Sequence, residues 1–375
     1  MNFDYNEEQQ LLADSVRRFL AKDYGFEARK RIVASKDGWS PAVWSTIAEM
    51  GLTGLPFSPD YGGFGGGAVD LMGVMEAAGE ALLVEPYLAT VGLGAQFVAR
   101  AGSDAQKKAI LPAVVEGKLK LAFAHTEQGA RYNLAKVAVQ AKMAGAGWEI
   151  SGEKFSVLGA AAADTLVVSA CTDKGLSLFL IQKNAVRVKD RVTLDEQRAG
   201  DAAFSKAPGE LLGPEGGALP VIEEVVDFAT ALICAEAVGA MKFSCDTTLE
   251  YLKTRKQFGV PIGTFQALQH RMVDMYVSYE QAKSMACLAA SKADSPADGG
   301  RDRTSAVDRA RSISAAKIKI ADSCRHISQE AIQLHGGMGM TDEMKVSHSF
   351  RRLTMIAQQF GDAEHHLARF ASLSS

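Results

Sequence analysis

Leu111-Pro112-Ala113-Val114-Val115-Glu116-Gly117-Lys118-Leu119-Lys120-Leu121-Ala122-Phe123-Ala124 is where the chain changes its period. The run to Val115 continues a helix that Ser103 caps, and it stops near Gly117. From Leu119 apolar residues alternate, the pattern of a half-buried strand. Upstream, Leu11, Leu12, Val16 and Leu20 have helical spacing within residues 6–22, as do Leu71, Val74 and Met75 within 68–82. Ser40-Pro41 ahead of Ala42-Val43-Trp44 supplies an N-cap and a first-turn proline, and Gly51 ends that helix. Downstream come the short β-type runs Lys136–Gln140, Trp148–Ile150, Thr165–Val168 and Leu176–Ile181, separated by glycine and charged turns. From Gly217 long helical patterns return over 218–253, 264–293 and 304–334, with 294–303 expected as a solvated loop. The predicted fold is mainly α with a small β domain. An N-terminal helical domain (1–118) precedes a middle antiparallel β barrel or sandwich (119–212) and a C-terminal four-helix bundle (213–375).

Composition narrows the function without naming it. The 375 residues carry 41 Lys+Arg against 44 Asp+Glu, a formal charge of −3, so there is no basic excess for nucleic acid. At 47% hydrophobic and 23% charged, the chain can bury a core and is not disordered. Five cysteines (171, 234, 245, 287 and 324) form no C-x-x-C and read as free thiols in a reducing compartment. The acidic, polar start has neither a signal-peptide nor a transit-peptide pattern, and no run approaches the ~18 apolar residues of a membrane span. A cytoplasmic protein without a membrane span is the expectation.

Most short motifs have a bland reading that outweighs the chemical one. Gly62-Gly63-Phe64-Gly65-Gly66-Gly67 lacks the Lys-Ser/Thr of a phosphate loop and reads as a flexible entry to the helix at 68. Asp362, Glu364, His365 and His366 are adjacent on a helix and point apart, so a charged face is expected there and no metal site. No G-x-S-x-G elbow is present. Two helix ends stand out. Arg255-Lys256-Gln257-Phe258-Gly259 closes the first long helix, and Gln333-Leu334-His335-Gly336-Gly337 closes the third. Each is an ordinary C-terminus by itself. Together they offer a guanidinium, an aromatic ring and open amides to an anionic, planar ligand.

The three-part order, Arg255-x-x-Phe258-Gly259, the helix start Phe265-Gln266-x-x-Gln269 with Asp274-Met275, and Gln333-x-x-Gly336-Gly337 resemble the acyl-CoA dehydrogenases over roughly residues 3–372. Tyr61-Gly62-Gly63 and Thr126-Glu127 fit the same pattern. More narrowly, Arg131–Leu134, Leu252–Gly259 and Phe360–Leu367 resemble the small subunits of bacterial pimeloyl-CoA dehydrogenases. The resemblance implies FAD as cofactor and α,β-desaturation of an acyl-CoA. In that reaction a glutamate takes the α-proton, flavin takes the hydride, and electrons pass on to an electron-transferring flavoprotein. It also implies FAD contacts from Arg255, Phe258, Gly259, Gln333, Gly336, Gly337 and Thr126.

The departures fall on one side. The family's two base positions correspond here to Phe360, before Gly361, and to Ala229, nine residues before Val238-Gly239; neither accepts a proton. Glu236, Asp362 and Glu364 are nearby but none aligns, and the arginine expected beside the helical position is Thr230. The family's flavin-flanking aromatic-x-threonine falls on Ser156-Val157-Leu158. What is kept is the pair of motifs that, in the family's tetramers, reaches the ADP half of FAD in a neighbouring subunit. The resemblance therefore implies a small subunit without a base, a dimer or tetramer with a homologous, glutamate-bearing partner, and a substrate that includes dicarboxylyl-CoAs such as pimeloyl-CoA. Arg131 is the candidate anion contact. A purely structural subunit without flavin contact and a homotetramer with a relocated base are the alternatives.

Overall fold

The structure is a computed structural model that describes residues 5–145, 147–294 and 303–373. Helices α1 (Glu7–Asp23), α2 (Phe26–Val33), α3 (Pro41–Glu49), α4 (Ala68–Ala81), α5 (Ala95–Ala101) and α6 (Asp104–Val115) come first. Strands β1 (Leu121–Ala124), β2 (Gln140–Ala144), β3 (Gly147–Leu158), β4 (Thr165–Thr172), β5 (Gly175–Gln182), β6 (Arg187–Val192) and β7 (Arg198–Leu212) follow. Then come α7 (Leu219–Thr254), a hairpin of β8 (Lys256–Gln257) and β9 (Val260–Pro261), α8 (Gln266–Ala293), α9 (Arg303–His335), α10 (Lys345–Gln358) and α11 (Ala363–Ser372). The chain separates into two compact units, and the division falls inside α7, between Ala229 and Thr230.

The first unit comprises the described parts of Met1–Arg29, Ala68–Leu83 and Thr230–Ser375. Asn6 and Gln9 form a capping box that starts α1. Arg17 ties α1 to α4 by ion pairs to Glu76 (3.1 Å) and Glu80 (3.3 Å). The α4 and α7 backbones meet through glycines. A Cβ at Gly79 would lie 1.9 Å from the Glu236 carbonyl oxygen, and one at Gly239 would lie 1.9 Å from that of Glu76. Any side chain at either position would force the helices apart. α8, α10 and α11 all pack on α9, around buried Ile233, Ile313, Ile320, Ile327 and Leu353; full burial of each such side chain contributes about 1.5–3 kcal/mol. Asp294, read as loop, caps α4 by accepting from the Val69 amide (2.8 Å). The rest of that loop, 295–302, lies outside the described residues.

The second unit comprises Lys30–Gly67 and Val84–Ala229. Ser40 and Ser103 cap α3 and α6. Strands β4, β2, β3, β7 and β5 close into a ring, with β1 added beside β4 and β6 beside β7. Ile150, Val168, Phe179, Ile181 and Phe204 fill it. The middle domain is thus a small β barrel, but β1 and β2 run parallel to β4, where wholly antiparallel pairing was expected. The expected strand at 136–140 starts only at Gln140. The Glu127 carboxylate accepts from the Ala138 and Val139 amides, which removes them from strand pairing. β6 and β7 had no legible signal. β6 is mostly exposed and charged, and β7 is broken by glycine, alanine and proline.

Candidate functional site

In the first unit, the two marked helix ends are neighbours. Beyond Thr254, β8 and β9 pair in a hairpin whose two-residue turn is Phe258-Gly259. Both turn residues have positive φ, 55° and 82°, as a type I′ turn requires. Glycine takes that conformation freely; phenylalanine does not, and it is held there with its side chain 91% exposed. The only ring recorded beside it among the described residues is Phe265, edge-on at 6.2 Å. Arg255 is exposed; its amide makes the last hydrogen bond of the α7 end, to the Tyr251 carbonyl (2.8 Å).

At the end of α9, Gln333, Gly336 and Gly337 are exposed. Nothing lies within 4 Å of where a Cβ would sit on Gly259, Gly336 or Gly337, so a ligand can approach all three backbones. His335, between them, is buried and stacks on Tyr251 at 4.4 Å. The Tyr251–His335 contact therefore sets the two helix ends side by side within the unit.

The position preceding Gly361 lies in the turn between α10 and α11. Phe360 has φ 60° and Gly361 φ 123°. A Cβ at Gly361 would sit 2.6 Å from both His365 Cδ2 and His366 Nε2. Lys317 of α9, fully buried, donates from Nζ to the carbonyls of Ile356 (2.8 Å), Ala357 (3.2 Å) and Gly361 (2.8 Å). Burial holds its amine below the ordinary lysine range. His366 faces the Phe360 carbonyl through Nε2 (3.1 Å) and Ser314 through Nδ1 (3.3 Å). Burial, with Lys317 nearby, pushes its pKa down to about 3, so it is neutral. Lys317 was not singled out from sequence, although it interrupts the apolar stripe Ile313, Ala316, Ile320 and Cys324.

The nearby acids are occupied. Arg352 grips Glu236 with two hydrogen bonds, Nε to Oε1 (2.6 Å) and Nη2 to Oε2 (2.8 Å), and both residues are buried. Asp362 caps α11 through the His365 amide (2.8 Å), and Glu364 is exposed in its first turn. Ala229 and Thr230 are buried on α7. Among the described residues no group of three or more His, Cys, Asp or Glu is placed to hold a metal ion, and no helix is long and apolar enough to cross a membrane.

In the second unit, Thr126 is exposed, and its carbonyl accepts from the Phe155 amide (2.8 Å). The residues flanking it are clamped from inside the barrel. Lys154, fully buried, donates to the His125 carbonyl (3.0 Å), Glu127 Oε1 (2.7 Å) and Ser169 Oγ (2.9 Å). Burial lowers Lys154 to about 8 although Glu127 opposes the shift. Burial tends to raise Glu127, but Lys154 and the two backbone amides win and hold it below the usual carboxylate range. Ser156-Val157-Leu158 falls at a bulge of β3 against β7; Ser156 has φ 51°, and its amide donates to Asp201 (3.1 Å). Arg131, also at positive φ (48°), is exposed on the loop after Glu127.

Two models of known families cover most of this chain. The acyl-CoA dehydrogenase N-terminal domain matches residues 6–118, and the acyl-CoA dehydrogenase C-terminal domain matches residues 217–372. The chain belongs to the acyl-CoA dehydrogenase family. Among curated relatives it is similar to acyl-CoA dehydrogenase FadE12 of Mycobacterium tuberculosis, 29% identical over 92% of this chain and 90% of that one. Among solved structures it is similar to the Tcur3481-Tcur3483 steroid ACAD, at TM-score 0.87 and 27% identity over 98% of each chain. It is also similar to the FAD complex of PigA, at TM-score 0.88 and 25% identity over 100% of each chain. Members of the acyl-CoA dehydrogenase family are oxidoreductases that bind FAD.

Proposed function

We propose that this chain is the base-less subunit of a heteromeric, FAD-dependent acyl-CoA dehydrogenase. On this reading Arg255, Phe258, Gly259, Gln333, Gly336 and Gly337 hold the ADP half of FAD whose ring sits in a homologous subunit with a catalytic glutamate. The carrying observation is Phe258, fixed in a strained turn with its ring 91% exposed. Strain of this kind persists where the surrounding structure enforces it, and it concentrates at ligand contacts. Open backbone at three glycines and the Arg255 guanidinium suit a diphosphate. FAD supplies the hydride acceptor that side chains lack. The flavin-ring end fits poorly in this chain. Ser156 and Leu158 offer neither a shielding aromatic nor the expected hydroxyl, and Thr126 alone remains there.

Removal of an α-proton needs a carboxylate positioned and free to accept it. Phe360 and Ala229 cannot, Glu236 is committed to Arg352, and Asp362 caps a helix. This favours a partner's base over a relocated one. The substrate is proposed as an acyl-CoA, including dicarboxylyl-CoAs such as pimeloyl-CoA, with Arg131 facing the second carboxylate. The two-component name of the Tcur3481-Tcur3483 neighbour lends support to heteromeric assembly, and an electron-transferring flavoprotein is the proposed acceptor.

The test is the visible spectrum of the chain made alone and together with a glutamate-bearing homologue. Flavin colour and acyl-CoA-dependent bleaching are expected only in the joint preparation. Strong colour and bleaching with this chain alone would sink the proposal. In the complex, Arg255→Ala removes a charge-assisted contact of about 1.5–3 kcal/mol and is expected to weaken FAD retention. Unchanged retention would favour a purely structural subunit.

A further inference from the structure

Between the exposed Gln333 and Gly336, His335 turns inward together with the apolar Leu334. The imidazole is buried, at 2% exposure, where Gln333, Gly336 and Gly337 are open. Nδ1 faces the Ala331 carbonyl at 2.8 Å, so Nδ1 carries the proton and donates to the last turn of α9. Nε2 is then a bare acceptor, and it is buried without a hydrogen-bond partner. A buried polar atom left unpaired costs stability, so a ring whose far edge is wasted needs another reason to be there. That reason is the opposite face. His335 lies against Tyr251 with centroids 4.4 Å apart and planes 28° apart. Tyr251 belongs to the last turn of α7, and its carbonyl accepts the Arg255 amide (2.8 Å). The Arg255 carbonyl in turn accepts from Ile262, at the foot of the hairpin (2.8 Å). One ring pair therefore joins the end that carries Arg255 and Phe258 to the end that carries Gln333, Gly336 and Gly337.

We propose that the Tyr251–His335 stack is a positioning device that fixes the spacing of these two motifs, and that His335 acts through its ring face. It touches no ligand. Its consequence for FAD rests on the function proposed above, whereas its consequence for the hairpin does not. An aromatic stack of this kind is worth about a two- to tenfold change in an equilibrium constant.

The experiment uses the full chain alone and the complex with the glutamate-bearing homologue. His335→Leu removes the stack; His335→Phe keeps a ring for Tyr251 and, like leucine, lacks both the orphaned Nε2 and the Nδ1 donor to Ala331, so the two variants differ in the ring. In the chain alone, tryptic cleavage after Arg255 is expected to quicken about two- to tenfold in His335→Leu and to return to the parent rate in His335→Phe. In the complex, FAD affinity is expected to fall by a similar factor with Leu and to recover with Phe. Tyr251→Leu should reproduce the Leu effect, and the double variant should be no worse than either single one. If His335→Leu alone fails to fold, Tyr251→Leu, which removes the stack from the other side, decides the matter. Unchanged cleavage in both leucine variants would overturn the proposal, as would a phenylalanine that fails to rescue. If Arg255→Ala leaves FAD untouched while cleavage follows the stack, the FAD-lending function fails and the positioning device stands. If Arg255→Ala weakens FAD but His335→Leu alters neither readout, the reverse holds.

Discussion

Phe258 sets function against stability at a single residue. A left-handed conformation costs an ordinary L-residue roughly 1–2 kcal/mol, and asparagine less. Asn-Gly is the favoured pair for the turn that Phe258-Gly259 makes. Phe258→Asn is therefore expected to stabilise the isolated chain by about 0.5–1 kcal/mol in chemical denaturation. The same change should weaken FAD retention in the complex. A variant that loses stability would mean that Phe258 earns its place by packing within its own unit. Glu236 presents the opposite case. It is buried against Arg352, so Glu236→Ala leaves a buried guanidinium without its partner and should cost about 3–5 kcal/mol. A Glu236 variant that folds with parental stability but abolishes turnover would restore it as a candidate base. Sequence reading marked the residues at 255–259 and 333–337 by their place at helix ends, and those at 229 and 360 by family resemblance. It did not reach Tyr251, Lys317 or Lys154. Their roles depend on carbonyls and rings that are distant in sequence, and no local pattern marks those.

At the scale of elements, the link from α10 to α11 is held by a single buried amine. Lys317 caps the α10 end by taking the Ile356 and Ala357 carbonyls, and it takes the Gly361 carbonyl as well. Lys317→Met retains the stem but leaves these acceptors unpaired, and is expected to cost about 3 kcal/mol or more. His366 braces the same turn and titrates there. Its folded pKa of about 3 lies below the unfolded value near 6.5, so the unfolded chain binds the extra proton between those limits. Its contribution to stability is complete above pH 6.5 and is lost as pH falls toward 3. Urea melts of the parent chain should therefore lose stability more steeply between pH 6.5 and 4.5 than those of His366→Gln, by about 1.4 kcal/mol per pH unit. Equal slopes would show that this imidazole is not held neutral in the fold. Elements with strong local signals, such as α1, α3, α6 and the three long helices, were legible. β7 and the segment at 136–139 were not, since the partners that decide them are the barrel and the Glu127 carboxylate.

At the scale of the whole molecule, the proposal needs an assembly, and α8 bears on where one forms. Phe265, just before α8, and Val273, Tyr276 and Val277 on it are 40%, 58%, 56% and 48% exposed. Their spacing, together with Gln269, follows i, i+4, i+8, i+11 and i+12, which is one face of a helix. The stripe begins beside the hairpin that presents Phe258. An apolar face of this kind, rimmed by polar residues, marks a protein contact. A homologous subunit is the proposed occupant, because the residues meant to reach its FAD start at the same end. Val273→Lys with Val277→Asp places charge in the stripe without touching the motifs at 255–259 or 333–337. Light scattering is expected to show the complex shifted to lower mass, with circular dichroism of the chain unchanged and FAD released. The order of those effects carries the inference. Dissociation that leaves FAD bound to the glutamate-bearing subunit at full affinity would mean that this chain serves the assembly without lending any contact to the cofactor. Full-mass complexes that retain FAD would place the interface on another face of the bundle.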